Sequence, residues 1–278
     1  MNSLKISLLG CGWLGTPLAN LLISKGYIIK GSTTTPSKLE RLNELNIVPY
    51  LVHFRKKYPP ENLSDFLLSD VLIICIPPGR NNSEKNEDYR RMAAQVSESL
   101  LRSTVKQLIF ISSTSVYGDN NQEVDENTVA VPDNGSGKLL LEVEQQFLAL
   151  QNLTDIKVSV LRLSGLIGPD RHPARFFAGK TDIPNGLAPV NLIHLDDVCG
   201  IVLKLIDKGD INGIFTASAP SHPTKQEFYT QAAKQLQLPL PTFKNELNNW
   251  KIIRSDKIAS VLEYNFQVGD LSEWLLRN

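Results

Sequence analysis

The chain has 278 residues, 42% of them hydrophobic, enough for one large core and a smaller lobe beside it. Its 29 basic and 29 acidic residues cancel, so no basic face for nucleic acid is expected, and no run of about 18 apolar residues predicts a membrane span. The three cysteines, Cys11, Cys75 and Cys199, are odd in number, far apart and without metal-ligand spacing, which predicts a reduced, cytoplasmic protein with no metal site.

Leu4–Leu9 reads as a strand, not a signal peptide, because its apolar run stops at a glycine turn. Leu14, Leu18, Leu21 and Leu22 then fall on one helical face, with Pro17 early enough to be tolerated. Tyr27–Lys30 is a second strand, Pro36–Asn46 a helix and Ile47–His53 a third strand. Val71–Ile76 is continuously apolar, as a strand buried on both faces should be. Tyr89, Met92, Val96 and Leu100 mark the next helix, and Gln107–Ile111 the fifth strand. A helix carrying Leu140, Val143, Phe147 and Leu150 precedes the strand Val158–Leu163. This alternation predicts a doubly wound α/β domain on a parallel sheet with right-handed crossovers. Beyond Leu163 the pattern loosens, apart from a helix at Val198–Ile206. The expected division is 1–165 plus 190–212 for the sheet domain, and 166–189 plus 213–278 for a smaller, irregular C-terminal lobe.

Gly10-Cys11-Gly12-Trp13-Leu14-Gly15 is a G-x-G-x-x-G string between the first strand and the first helix. In that context the first glycine permits a tight turn, the second lets backbone approach a pyrophosphate, and the third lets helix and strand pack closely. A dinucleotide is therefore expected here, on the positive end of the helix, with Trp13 and Leu14 beside it. Sites that take NAD place an acidic residue about 20 residues further on. Between Thr16 and Lys38 this chain has none, and reads Gly31-Ser32-Thr33-Thr34-Thr35-Pro36-Ser37-Lys38 instead. Hydroxyls and a lysine suit a 2′-phosphate, so Ser32, Thr33, Thr34 and Lys38 point to NADP, with NAD the alternative. The other reading is a polar turn with Thr35 or Ser37 capping the next helix.

Strand five runs into Ile111-Ser112-Ser113-Thr114-Ser115-Val116-Tyr117-Gly118, hydroxyls at the edge where open α/β sheets bind ligands. This Ser-Ser-x-x-Val-Tyr-Gly resembles the extended short-chain dehydrogenase/reductases, the NAD-dependent epimerase/dehydratase group. Leu161-Arg162-Leu163-Ser164-Gly165-Leu166-Ile167-Gly168-Pro169 and Asn191-Leu192-Ile193-His194 resemble later segments of the same family. Gly12-Trp13-Leu14-Gly15 together with Arg171–Lys180 resembles its atypical YeeZ-like branch. Leu9 departs from the usual extended pattern, standing where a first glycine would be.

The resemblance implies a Rossmann sheet in the order 3-2-1-4-5-6 with a seventh strand, and a small lobe that roofs a substrate cleft. It implies cofactor contacts from Cys75, Ile76, Pro77, Ser112, Leu163 and Ser164, and Ser113 as the hydroxyl that polarises the reacting oxygen. It also implies a Tyr-x-x-x-Lys acid/base pair, and here the chain departs. Ser136 stands in place of the tyrosine and Leu140 in place of the lysine. Lys138 lies about 200° around the helix from Ser136 and does not replace the lysine. A serine hydroxyl is a poor proton donor beside a tuned tyrosine, so Ser136 reads as beginning or capping the helix.

Three functions follow. The chain is an oxidoreductase or epimerase/dehydratase with a relocated acid, Tyr117, whose bland alternative is a packing tyrosine. Or it binds NADP(H) as a silent sensor or regulatory protein. Or it is a hydroxyacid dehydrogenase, against which the strand-five signature and irregular lobe argue. Arg171, His172, Arg175 and Lys180 suit an anionic small-molecule substrate, unless they form a solvated loop anchored by Phe176 and Phe177. Pro77-Pro78-Gly79-Arg80 reads as a rigid turn after strand four. Asp196 is expected to cap the helix after His194, itself a structural imidazole. A monomer or homodimer is expected.

Overall fold

Val71-Leu72-Ile73-Ile74 carries no polar side chain, and all four residues are buried. Such a strand needs cover on both faces, and it occupies the centre of a seven-stranded sheet. The structure is a computed structural model that describes residues 3–54, 58–79 and 83–277, so Arg80 lies outside the described residues.

The strands are β1 Lys5–Leu9, β2 Ile28–Thr33, β3 Val48–Leu51, β4 Val71–Ile74, β5 Gln107–Ser113, β6 Gln122–Val124, β7 Lys157–Leu163, β8 Gly165–Ile167, β9 Leu192–His194, β10 Gly213–Ala217 and β11 Lys251–Ile253. The helices are α1 Gly15–Ser24, α2 Leu39–Glu44, α3 Leu63–Phe66, α4 Ser83–Leu100, α5 Gly135–Ala149, α6 Ala174–Phe177, α7 Leu195–Lys208, α8 Lys225–Gln235, α9 Asp256–Leu262 and α10 Leu271–Arg277. The sheet order is β3-β2-β1-β4-β5-β7-β10, the doubly wound Rossmann order with its seventh strand. β1 pairs in parallel with β2 on one side, Ile6 opposite Ile29, and with β4 on the other, Ile6 opposite Val71. The chain thus reverses direction across the sheet at β1 and β4, and the crevice beyond their carboxyl ends is where such sheets bind ligands.

The chain divides into two compact units, Met1–Ser113 with Asn134–Leu161 and Val202–Ile214, and Thr114–Asp133 with Arg162–Ile201 and Phe215–Asn278. Segments 114–133, 162–165 and 190–201, expected with the sheet domain, fall in the second unit. The reason at 114–133 is local: after Ser113 the chain leaves the sheet, and β6 pairs with β11 instead. In the first unit Leu8, Leu18, Leu22, Ile73, Phe110 and Phe147 are fully buried. Phe110 and Phe147 meet edge to face at 5.1 Å, a favoured aromatic geometry.

The second unit is more regular than its glycine- and proline-rich sequence predicts. It contains two parallel strand pairs, β6 with β11 and β8 with β9. Asn191 fixes β11 by donating to the Lys251 carbonyl at 2.8 Å and accepting from the Ile253 amide at 2.9 Å. Its core gathers Ile167, Leu192, Phe228, Leu271 and Leu275, with Phe177 and Trp274 packed against it. Thr224 and Glu227 form a capping box at the start of α8. Asp197 is fully buried in the first turn of α7 and accepts from the Tyr264 hydroxyl at 2.8 Å, the Gln267 amide at 2.6 Å and the Val268 amide at 3.0 Å. Asp197 is thereby a tie to the later chain, and the α7 cap expected of Asp196 comes from His194, whose Nδ1 accepts from the Asp196 amide at 3.2 Å. No helix among the described residues is long and apolar enough to cross a membrane.

Candidate functional site

The three glycines of the first turn stand in three different settings. Gly10 has φ +106°, a conformation that L side chains rarely adopt. At Gly15 a Cβ would lie 2.2 Å from the Gly10 carbonyl oxygen and 2.8 Å from Leu8, so helix and strand could not approach as they do. At Gly12 a Cβ would meet nothing within 4 Å. The protein itself therefore makes no demand for glycine at this exposed position, and what it leaves is open room beside the backbone. α1 starts here with no acidic residue in its first turn and no side-chain cap on its amides. Its positive end is turned to that room, the electrostatic setting for a phosphate. A pyrophosphate thus fits the residues present. Trp13 is half-buried beside Gly12, and Leu14 is buried.

The end of β2 braces this turn. Ser32 is buried, its hydroxyl accepts from the Gly10 amide at 2.9 Å, and its carbonyl accepts from the Cys11 amide at 2.8 Å. Ser32 is a strut of the glycine turn, which corrects its expected place on the 2′-phosphate. Thr33 accepts from the Thr35 amide at 3.1 Å, while Thr34 and Lys38 are exposed. Neither Thr35 nor Ser37 supplies a side-chain cap to the next helical turns. Burial pushes the Cys11 thiol up to about 12, against a smaller opposing effect of the Ser32 backbone, so it stays protonated and unreactive.

Beyond β4 the chain passes through Cys75 and Ile76, both half-buried, to exposed Pro77. The Cys75 amide donates to the Leu9 carbonyl at 2.9 Å, and a Cβ on Gly10 would touch Ile76 and Cys75 at 3.0 and 3.3 Å. Tyr89 of α4 donates to the Ile76 carbonyl at 3.2 Å. At the end of β5 the two serines part ways. Ser113 is half-buried, whereas Ser112 is buried, with its hydroxyl hydrogen-bonded to the carboxyl group of Glu144 on α5. Glu144 and Tyr89 are the residues that the sequence reading missed.

α5 carries no tyrosine. Ser136 is half-buried and Leu140 is buried. The helix is capped by Asn134, whose side chain accepts from the Gly137 amide at 2.8 Å, and not by Ser136. The relation is simple: Asn134 is extended and stands three residues before Gly137, the geometry that an N-cap requires.

In the second unit Tyr117 is 1% exposed. Its hydroxyl donates to the Asp125 carbonyl and accepts from Arg162, both at 2.6 Å, and the buried guanidinium lies 4.9 Å from its ring centre. This is a packing tyrosine whose proton is already committed, which corrects its expected part as a relocated acid. Leu163 and Ser164 are buried, and the Ser164 amide donates to the Ala217 carbonyl at 2.9 Å. Arg171, Arg175 and Lys180 are exposed, with the Lys180 ammonium 5.3 Å from the Phe177 ring centre. His172 belongs to the packing instead. Its Nδ1 accepts from the Ala174 amide at 3.2 Å, and its ring stacks on Trp274 at 5.7 Å. Burial, and then the charge of Arg175, lower its pKa, so it stays neutral. Among the described residues no group of His, Cys, Asp and Glu assembles as a metal site.

Residues 8–217 match the model of the NAD dependent epimerase/dehydratase family. The chain belongs to this family. The family expected from the strand-five signature is thus the one found. The chain is 38% identical to Protein YeeZ of Escherichia coli (strain K12) over 270 residues, 96% of this chain and 97% of that protein. Among solved structures it resembles UDP-glucuronic acid 4-epimerase from Bacillus cereus, in complex with UDP-glucuronic acid and NAD, with TM-score 0.81 at 18% identity over 98% of this chain and 96% of that one. It also resembles a functionally unknown conserved protein from Silicibacter pomeroyi, with TM-score 0.75 at 22% identity over 99% and 97% of the two chains. At these identities the solved structures share the epimerase/dehydratase fold, and the glycine turn of β1 and α1 is this chain's part of it.

Proposed function

We propose that this epimerase/dehydratase family member binds NADP(H) at the turn Gly10–Gly15, with NAD as the weaker ligand. The observation that carries the reading is the open room at Gly12 beside an uncapped, acid-free helix start. Gly10, Gly12 and Gly15 would hold the pyrophosphate on backbone amides. Thr33, Thr34 and Lys38 would hold the 2′-phosphate, in a stretch without a carboxylate to repel it. Bound there, a nicotinamide supplies reversible hydride transfer. The chain's own contribution would be the Ser113 hydroxyl to polarise a reacting oxygen, and the exposed charges of Arg171, Arg175 and Lys180 to attract an anionic, sugar-nucleotide-like substrate. On this reading it acts as an oxidoreductase or epimerase.

A second reading is favoured by the acid/base residues. With no tyrosine on α5 and the Tyr117 hydroxyl committed inside the second unit, the chain would hold NADP(H) as a sensor without turnover. Calorimetric titration with NADPH, NADP and NADH tests the shared core of both readings. Binding in the order NADPH or NADP over NADH, lost in Gly12→Ala, is the expected result. No binding of any of the three overturns both. Hydride exchange with UDP-sugars, slowed by Ser113→Ala, then separates enzyme from sensor.

A further inference from the structure

Ser136, Leu140 and Glu144 stand at successive i, i+4 positions and so share one stripe of α5. The polar group of that stripe is set deep. Glu144 is 0% exposed, in a helix face otherwise buried through Leu140, Val143 and Phe147. Burying a carboxyl group is costly unless hydrogen bonds compensate it, and an ordinary core would put a leucine here. Helical side chains lean toward the helix start, which carries the Glu144 carboxyl back toward the carboxyl edge of the sheet. There it meets the hydroxyl of Ser112, at the end of β5. On the α4 side stands Tyr89, 4% exposed, whose hydroxyl holds the Ile76 carbonyl just beyond β4. Burial first, and then the nearby charge of Glu144, push the Tyr89 phenol up, so it keeps its proton and remains a donor. β4 and β5 are adjacent in the sheet. A buried carboxyl group thus holds the hydroxyl at the end of β5, and a buried phenol holds the backbone just beyond β4, at the edge where open α/β sheets bind ligands.

We propose that Glu144 is a positioning residue for the dinucleotide: from inside the core it fixes the Ser112 hydroxyl at the end of β5. It touches no ligand, being fully buried, and acts through Ser112. The inference rests on the dinucleotide reading above.

The test compares Glu144→Leu, Glu144→Gln, Ser112→Ala and the double variant Ser112→Ala/Glu144→Leu, each measured for NADPH affinity by calorimetry and for Tm. Glu144→Leu and Ser112→Ala should each weaken NADPH about fivefold, the size of one lost hydrogen bond. The double variant should lose no more than either single, because both remove the same contact. Glu144→Gln, which keeps a side-chain acceptor for the Ser112 hydroxyl, should bind within twofold of the unaltered protein whatever its Tm. If Glu144→Leu does not fold, Ser112→Ala and Glu144→Gln still give opposite results on this proposal. Unchanged affinity in Ser112→Ala, or additive losses in the double variant, overturns it while leaving the dinucleotide reading intact. If the unaltered protein binds no dinucleotide, both fall together.

Discussion

The hydroxyl of Ser32 holds the amide of Gly10 at 2.9 Å across 22 residues of chain, so the end of β2 fixes the entrance to the glycine turn. Ser32→Ala removes one buried hydrogen bond and should cost about 1 kcal/mol of stability. It should also weaken NADPH several-fold, although Ser32 is buried. Denaturant unfolding and calorimetry on the same sample check both. Loss of stability with unchanged affinity would show that the turn keeps its shape without the strut.

Gly12 and Gly15 should respond in opposite ways. Gly15→Ala sets a methyl 2.2 Å from the Gly10 oxygen and should destabilise the protein by about 2 kcal/mol or more. Gly12→Ala meets no protein atom within 4 Å and should leave stability within about 0.5 kcal/mol while abolishing dinucleotide binding. Thermal melts of both variants, with and without NADPH, decide the matter. A strongly destabilised Gly12→Ala would mean that the glycine serves the fold.

Lys38 is exposed on the short turn after β2. Lys38→Glu should reduce the preference for NADPH over NADH about tenfold or more, since it trades an attraction for a repulsion near a doubly charged phosphate. The ratio of the two dissociation constants at low and high salt is the measurement. A ratio that stays fixed assigns the phosphate to other groups.

His172 predicts an acid-sensitive packing. Its folded pKa is lowered from the ordinary 6.5, and so is that of His222, in both cases mainly by burial. A neutral imidazole is therefore favoured in the fold, and below pH 6.5 the unfolded chain binds more protons. The stabilisation is complete above that pH and is lost as pH falls through the folded values. Trp274, stacked on His172 at 5.7 Å and 5.4 Å from His194, reports the change. Its fluorescence should fall with Tm between about pH 7 and pH 5. Trp274→Phe should remove the optical signal, and His172→Gln should flatten part of the Tm profile. A Tm that does not change over this range would contradict the assignment.

The large sheet was legible because its physics is periodic. Val71–Ile74 could be read from hydrophobicity alone, and the glycine turn from its place between a strand and a helix. The candidate site was legible only where chemistry follows spacing along the chain. Ser32 looked like a ligand hydroxyl because its partner, Gly10, is brought to it by sheet pairing. Tyr117 looked like an acid because neither Arg162 nor the Asp125 carbonyl can be placed beside it from sequence. Glu144 was overlooked for a related reason. A carboxylate in a helix is ordinarily solvated, and its partner Ser112 lies 32 residues away. The three-residue strands β6, β8, β9 and β11 are too short to display a period of two.

The buried carboxylate of Asp197 also sets a constraint on the order of events during synthesis. Its backbone donors, Gln267 and Val268, are 70 and 71 residues downstream. Until residue 264 clears the ribosome, Asp197 has none of its three partners, Tyr264, Gln267 and Val268, and stays hydrated, which keeps the start of α7 from settling into its final packing. Closing so long a loop costs entropy before any contact repays it. The second unit should accordingly be a late, all-at-once folder, and a nascent chain halted before residue 264 should remain sensitive to protease in α7.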